Sequence, residues 1–341
     1  MDLLIFDMDG VLIDVSRSYR KTIQQTIHIY LKHVLGLQAD PVSNEEIGLF
    51  KSTGGFNNDW DLTTGFLLYL LSISGIPPLP RRKRFSSPDV IVLYLRQSLT
   101  NFCQKETLRI KRDHLVSFLE QVKASGGGLK GVRSVQKGLW DGWIYSSGDL
   151  AIENLVKRIF QEIYLGEKFS THHHLQSLFY KDKGLYLREK LLIQRNILSS
   201  LHRKMRLGIA SGRPRLEAEL ALKRFKIFHY FDSVVTLDEC EEEEKKIFLS
   251  TGRKLKLSKP HPFSILKAIQ AMDLPHPRCG YVGDVVDDMR AARAARKQFD
   301  VLAIGFLSRL SRRKEIKATL LQAGADWIIE KPNQLLRLHF G

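Results

Sequence analysis

The chain opens on a short apolar run, residues 3–6, that stops at Asp7-Met8-Asp9-Gly10. A continuous apolar run ending in turn residues predicts a buried strand. The next run of this kind lies far downstream, at residues 205–210, and ends at Ser211-Gly212-Arg213-Pro214. Pro214 then sits near a first helical turn, and Ala218, Ala221, Leu222 and Phe225 follow at helical spacing. Further strands are predicted over residues 233–236, 280–282, 301–304 and 326–329, and helices over 263–272 and 285–296. Alternation of strands and helices predicts an α/β fold, a doubly wound parallel sheet covered on both faces.

Residues between the first two strands follow another pattern. Ile152, Leu155, Val156, Ile159, Phe160 and Ile163 recur at helix spacing, and Ile91, Tyr94, Leu95 and Phe102 suggest a second helix. Strand patterns are scarce there. This predicts a large, mainly helical domain, residues 15–187, inserted into an α/β core made of residues 1–14 and 188–341. Two stretches in the insertion read as surface loops. One is PPLPRRKRF, residues 77–85; the other is SGGGLKG, residues 125–131, taken as a flexible connection. The glycine-rich stretch lacks the Gly-Lys-Ser/Thr ending of a phosphate-binding P-loop.

Composition narrows the class. The 341 residues carry 53 Lys and Arg against 37 Asp and Glu, a net charge of +16. Both parts are basic: residues 15–190 hold 25 Lys and Arg against 16 Asp and Glu. The excess suggests anionic partners without choosing among phosphorylated metabolites, nucleic acid and acidic lipid. Cys103, Cys240 and Cys279 are far apart and odd in number, which disfavours a disulfide framework or a zinc site. Acids at positions 2, 7 and 9 do not fit a signal peptide. Residues 62–79 are apolar but carry Gly, Ser, Thr and Pro, and read as a buried helix plus turn rather than a membrane span. A cytoplasmic location is expected. The oligomeric state is not legible.

The candidate chemistry sits at the predicted strand ends, where ligands bind in open α/β sheets. Asp7 can attack phosphorus as a carboxylate nucleophile. Asp9 can protonate a leaving oxygen and then deprotonate water. Two carboxylates beside a phosphate repel it, and magnesium (Mg2+), which prefers hard oxygen ligands, relieves the repulsion. Asp284, ending another strand, supplies a third ligand. Asp287 or Asp288 could hold the metal's waters or orient Lys259. Ser211 and the Gly212 N–H can grip phosphate oxygens, and Lys259 can neutralise developing charge.

Taken together, FDMDGVLID, LGIASGRP, SKPHP and YVGDVVDDMRAA resemble the four motifs of the haloacid dehalogenase superfamily of aspartate-nucleophile phosphohydrolases. The resemblance spans roughly half the chain. It implies Asp7 as nucleophile, Asp9 as acid/base, Ser211 and Lys259 as phosphoryl contacts, and Asp284 as metal ligand with Asp7 and the Asp9 carbonyl. The helical insertion resembles the cap of subfamily IA members such as phosphoglycolate phosphatase and β-phosphoglucomutase. GGFNNDWDLTTGF and IYLGEKF, with the second and third motifs, resemble one further subfamily of that group. Asp9 favours a phosphatase or phosphomutase, since dehalogenases and phosphonatases lack it.

The expected activity is therefore magnesium-dependent hydrolysis of a phosphate monoester on a small metabolite. A phosphomutase using the same residues is one alternative. A non-catalytic protein binding nucleic acid through its basic surface is another, which the filled catalytic positions argue against. The cap would read the substrate, with Asn57, Asn58, Asp59 and Trp60 as candidate contacts and Arg213 as a candidate phosphate or cap contact. The insertion is longer than the usual small cap, and residues 240–258 lengthen the path to Lys259. His172, His173 and His174 are adjacent and do not converge on one ion.

Overall fold

The computed structural model describes all residues except 57, 105, 308–312 and 338–341. The chain divides into two compact units, Met1–Val15 with Lys190–Gly341, and Ser16–Glu189.

The first unit is built on a six-stranded parallel sheet. Its strands are β1 (Leu3–Phe6), β4 (Arg206–Ala210), β5 (Ser233–Val235), β6 (Arg278–Gly283), β7 (Asp300–Phe306) and β8 (Trp327–Ile329). They lie in the order β5-β4-β1-β6-β7-β8. From β1 the chain winds outward through β4 to β5, then returns to β6 on the other side. This reversal makes the gap between β1 and β6 a topological switch point, where ligands bind beyond the strand C-termini. The register is tight: Leu3 to Phe6 pair with Arg206 to Ile209 on one side and with Cys279 to Val282 on the other.

Leu3 and Ile5 share a core with Tyr281 of β6 and with Ile265, Ile269, Met289, Ala291 and Leu320, from the helices Phe263–Gln270, Val286–Ala295 and Arg313–Ala323. Leu4 and Phe6 alternate to the opposite face, where Phe6 meets the edge of Phe231 at 6.2 Å. The helix Arg195–His202 packs on β4. A two-stranded antiparallel ribbon, β2 (Ile13–Asp14) with β3 (Lys190–Leu191), was not foreseen. It joins the two points where the inserted segment leaves and re-enters this unit. Two residues are too few for periodicity to reveal a strand.

The second unit is helical and, among the described residues, has no strand pair beyond the single bridge between Ala39 and Leu108. Its longest helix, Asp59–Ile73, is buried along most of its length. Phe50 stacks on Phe66 at 4.3 Å, and Tyr69 packs on Phe118 at 4.9 Å. Tyr19 stacks on Tyr164 at 4.7 Å.

A buried ion pair ties down the end of this unit. Arg158 Nε lies 3.1 Å from Glu162, whose carboxylate also accepts the N–H groups of Leu178, Phe179 and Tyr180. Full satisfaction is what makes a buried charge tolerable.

SGGGLKG is not a loose connection. Gly128 begins the helix Gly128–Gln136, and its N–H donates to Gly54 O at 2.8 Å. Gly128 has φ of +60°, and a Cβ there would run into the Gly55 carbonyl. The two glycine pairs thus let two backbones cross.

His173 carries a pH prediction for this unit. Its Nε2 is buried without a hydrogen-bond partner among the described residues. Burial, with His172, Lys157 and Arg158 nearby, lowers its pKa to about 4. Because the folded-state pKa is depressed, the contribution is intact above about 6.5 and is lost as pH falls towards 4. Melting curves of wild type and His173→Phe at pH 7 and 4.5 are expected to diverge at the lower pH. Wild type should lose about 1 kcal/mol more, a figure reduced for the partial exposure of the ring. Equal losses would contradict this.

No helix among the described residues is long and apolar enough to cross a membrane.

Candidate active site

Asp7 extends β1 by one residue: its N–H donates to Val282 O at 2.8 Å, so it lies at the C-terminal edge of the sheet beside β6. The chain then turns sharply. Leu12 and Ile13 N–H both return to Met8 O at 2.9 Å, and Gly10 N–H donates to Ile13 O at 2.8 Å. Gly10 has φ of +79°, and a Cβ there would collide with the Asp284 carboxylate. Only glycine meets both demands. Asp284 follows directly on β6, so the switch point brings Asp7 and Asp284 together from adjacent strands.

Lys259 comes from the segment before the helix Phe263–Gln270. Its ammonium donates to Asp7 Oδ1 at 2.8 Å, Asp288 Oδ1 at 2.7 Å and the Tyr281 hydroxyl at 2.8 Å. Three oxygens match the three N–H bonds of a lysine head group. Burial works against the charge, but the Asp288 and Asp7 carboxylates outweigh it and hold the Lys259 pKa well above the ordinary value.

Asp288 is wholly buried and occupied on both oxygens. Oδ2 accepts the N–H of Asp284 at 3.0 Å and of Val285 at 3.2 Å, capping the helix Val286–Ala295. Oδ1 accepts from Lys259 and from Tyr281 at 3.0 Å. Of the two acids considered for orienting Lys259, it is Asp288 that touches it. Asp287 lies 3.8 Å from Arg290, and burial raises its pKa.

Asp7 is buried among other acids. Burial pushes its pKa up to about 8, and Asp288, Asp9 and Asp284 push the same way against the pull of Lys259. Asp7, Asp284 and Asp288 each bring a carboxylate oxygen within 4.8 Å of the other two. A set of hard anionic oxygens around a buried, charge-crowded point suits magnesium.

Ser211 follows β4 and is buried; its N–H donates to Val235 O at 2.9 Å and its Oγ accepts from Arg213 N at 3.2 Å. Gly212 is exposed beside it. The guanidinium of Arg213 is buried and contacts Asp9, with Nε 2.5 Å from Oδ1.

The cap-side candidates lie in the helical unit. Asn57 lies outside the described residues. Asn58 caps the helix Asp59–Ile73, accepting Asp61 N–H at 2.7 Å. Asp59 pairs with Lys51 at 2.7 Å. Trp60 packs edge-on against Phe160 at 6.1 Å beneath the Lys157 ammonium at 4.7 Å. These contacts belong to the packing of the helical unit. Tyr281 was missed by sequence reasoning. In YVGD it reads as apolar strand, and only its position three residues before Asp284 signals that its hydroxyl reaches the acidic group.

The chain is similar to several known proteins. Residues 193–301 match the family of haloacid dehalogenase-like hydrolases. The chain is 24% identical over 294 residues to an imidazoleglycerol-phosphate dehydratase of Phytophthora nicotianae, covering 86% of this chain. It spans 41% of that relative's length. Among solved structures, a structural-genomics X-ray structure superposes with a TM-score of 0.61 at 18% identity, covering 99% of this chain and 98% of the other. A phosphatase from Thermococcus thioreducens gives 0.52 at 19% identity, covering 94% and 99%. These likenesses establish the fold, and the family match covers residues 193–301, within the α/β unit.

Proposed function

We propose that this chain is a magnesium-dependent phosphatase that hydrolyses a small-molecule phosphate monoester through an aspartyl phosphate on Asp7. The observation that carries the reading is the placement of Asp7. It is a buried carboxylate at the C-terminal end of a central strand, held by Lys259 at 2.8 Å and crowded by Asp284 and Asp288. Lys259 bridges two of these acids, and the third, Asp284, brings a carboxylate oxygen within 4.8 Å of both.

With both Asp288 oxygens committed, Asp7 and Asp284 are the side chains that would hold magnesium, helped by the Asp9 backbone carbonyl. Magnesium there supplies positive charge that favours the ionised nucleophile and offsets the phosphoryl charge. An Asp7 oxygen forms the new bond to phosphorus as the bond to the leaving oxygen breaks, and Asp9 gives that oxygen its proton. Water then attacks the phosphorus, Asp9 takes up the water's proton, and the phosphorus–Asp7 bond breaks. Ser211 Oγ and Gly212 N–H donate to the phosphoryl oxygens, and Lys259 stabilises charge in both steps.

The dehydratase relative acts, by its name, on imidazoleglycerol phosphate. An imidazole-bearing phosphate monoester therefore heads the substrate panel, with phosphoglycolate, sugar phosphates and p-nitrophenyl phosphate after it. Phosphate release is measured with magnesium and with EDTA. Release that falls at least about a hundredfold in EDTA supports the reading. Release undiminished by EDTA, or none from any ester, overturns it.

A further inference from the structure

We infer that Arg213 is a positioning residue for the acid/base Asp9, fixing which carboxylate oxygen faces the leaving group. The inference rests on the phosphatase reading above. Asp9 occupies a turn and its side chain is 35% exposed, whereas the Arg213 side chain is 1% exposed. An exposed carboxylate on a turn rotates readily about its side-chain bonds, and a proton donor must be oriented to act. The buried guanidinium supplies that constraint: its Nε meets Oδ1 at 2.5 Å, which directs Oδ2 to the proton transfers.

Arg213 is itself well anchored. Its N–H donates to Ser211 Oγ at 3.2 Å, its carbonyl accepts Leu237 N–H at 2.9 Å, and Pro214 follows. A planar guanidinium holds a carboxylate in one orientation better than a lysine ammonium does. The same backbone segment thus places Ser211 for the phosphoryl group and steers Asp9 for the leaving group.

Leaving-group dependence separates this role from phosphate binding and from a structural role. An ester with a good leaving group, such as p-nitrophenyl phosphate, needs little help from an acid; an alkyl phosphate needs much. We compare kcat and KM for wild type, Arg213→Met, Arg213→Lys, Asp9→Asn and Arg213→Met/Asp9→Asn over a series from aryl to alkyl phosphates. Arg213→Met is expected to lose about a hundredfold in kcat on alkyl esters and several-fold less on p-nitrophenyl phosphate. Asp9→Asn should show the same slope, the double variant should be no worse than Asp9→Asn alone, and Arg213→Lys should recover only part of the loss.

A uniform loss across the series, a loss confined to KM, or additive losses in the double variant would overturn the inference. If Arg213→Met does not fold by thermal melting, Arg213→Lys carries the same comparison with a cation kept in place, and a flat leaving-group profile there overturns it. A wild type inactive on every ester would instead sink the phosphatase reading itself.

Discussion

Asp7→Asn is expected to lower phosphate release by about ten-thousandfold or more while leaving the protein folded. The amide keeps the shape of the side chain but cannot form the aspartyl phosphate. The folded state should tolerate it, because Asp7 is buried among Asp288, Asp9 and Asp284, and burial already pushes its pKa to about 8. The amide is neutral, the state that burial favours at this position, and Lys259 keeps Asp288 and Tyr281 as partners. Steady-state assays on the best ester, with melting curves alongside, check both halves. Appreciable turnover by a folded Asp7→Asn would remove Asp7 from the nucleophile's role.

The second large effect is expected at Lys259. Lys259→Met leaves Asp7 and Asp288 facing each other without their shared cation, and leaves the Tyr281 hydroxyl without that donor. Removing one partner of a buried charge cluster costs about 3–5 kcal/mol, since the remaining charges stay uncompensated. Turnover should fall about 100- to 1000-fold, the usual loss when one charge-stabilising donor is deleted. The variant should also gain more melting temperature from magnesium than wild type does, because a divalent cation replaces part of the missing charge. A variant as stable as wild type, with no larger magnesium response, would show that the lysine is not balancing the acids.

The strands that carry these residues were legible because parallel strands buried on both faces read as unbroken apolar runs. β1, β4 and β6 each end where the chain turns polar, at Asp7, Ser211 and Asp284, and the sheet order sets those ends along one edge. What escaped the sequence was non-local. Nothing in Asp9 or Arg213 announces their contact, because 204 residues separate them and the pairing of β1 with β4 creates it. Tyr281 hid among apolar neighbours, since a tyrosine in a strand is ordinary and only the fold aims its hydroxyl at Lys259. SGGGLKG was read as a flexible connection, whereas Gly128 N–H bonds to Gly54 O where the backbones cross. The local roles of Asn58 and Trp60, read from the sequence as candidate substrate contacts, also depend on the fold. The structure has them as a helix cap and a buried ring.

The central claim, that phosphate passes through Asp7, is tested most directly by trapping the intermediate. Wild-type protein turning over its best ester with magnesium is quenched in acid, digested and read by mass spectrometry. The account predicts a phosphate adduct on Asp7 in the amino-terminal peptide, sensitive to hydroxylamine as an acyl phosphate is, and absent from Asp7→Asn. Full turnover with no adduct at Asp7, or with the adduct on another residue, would contradict it.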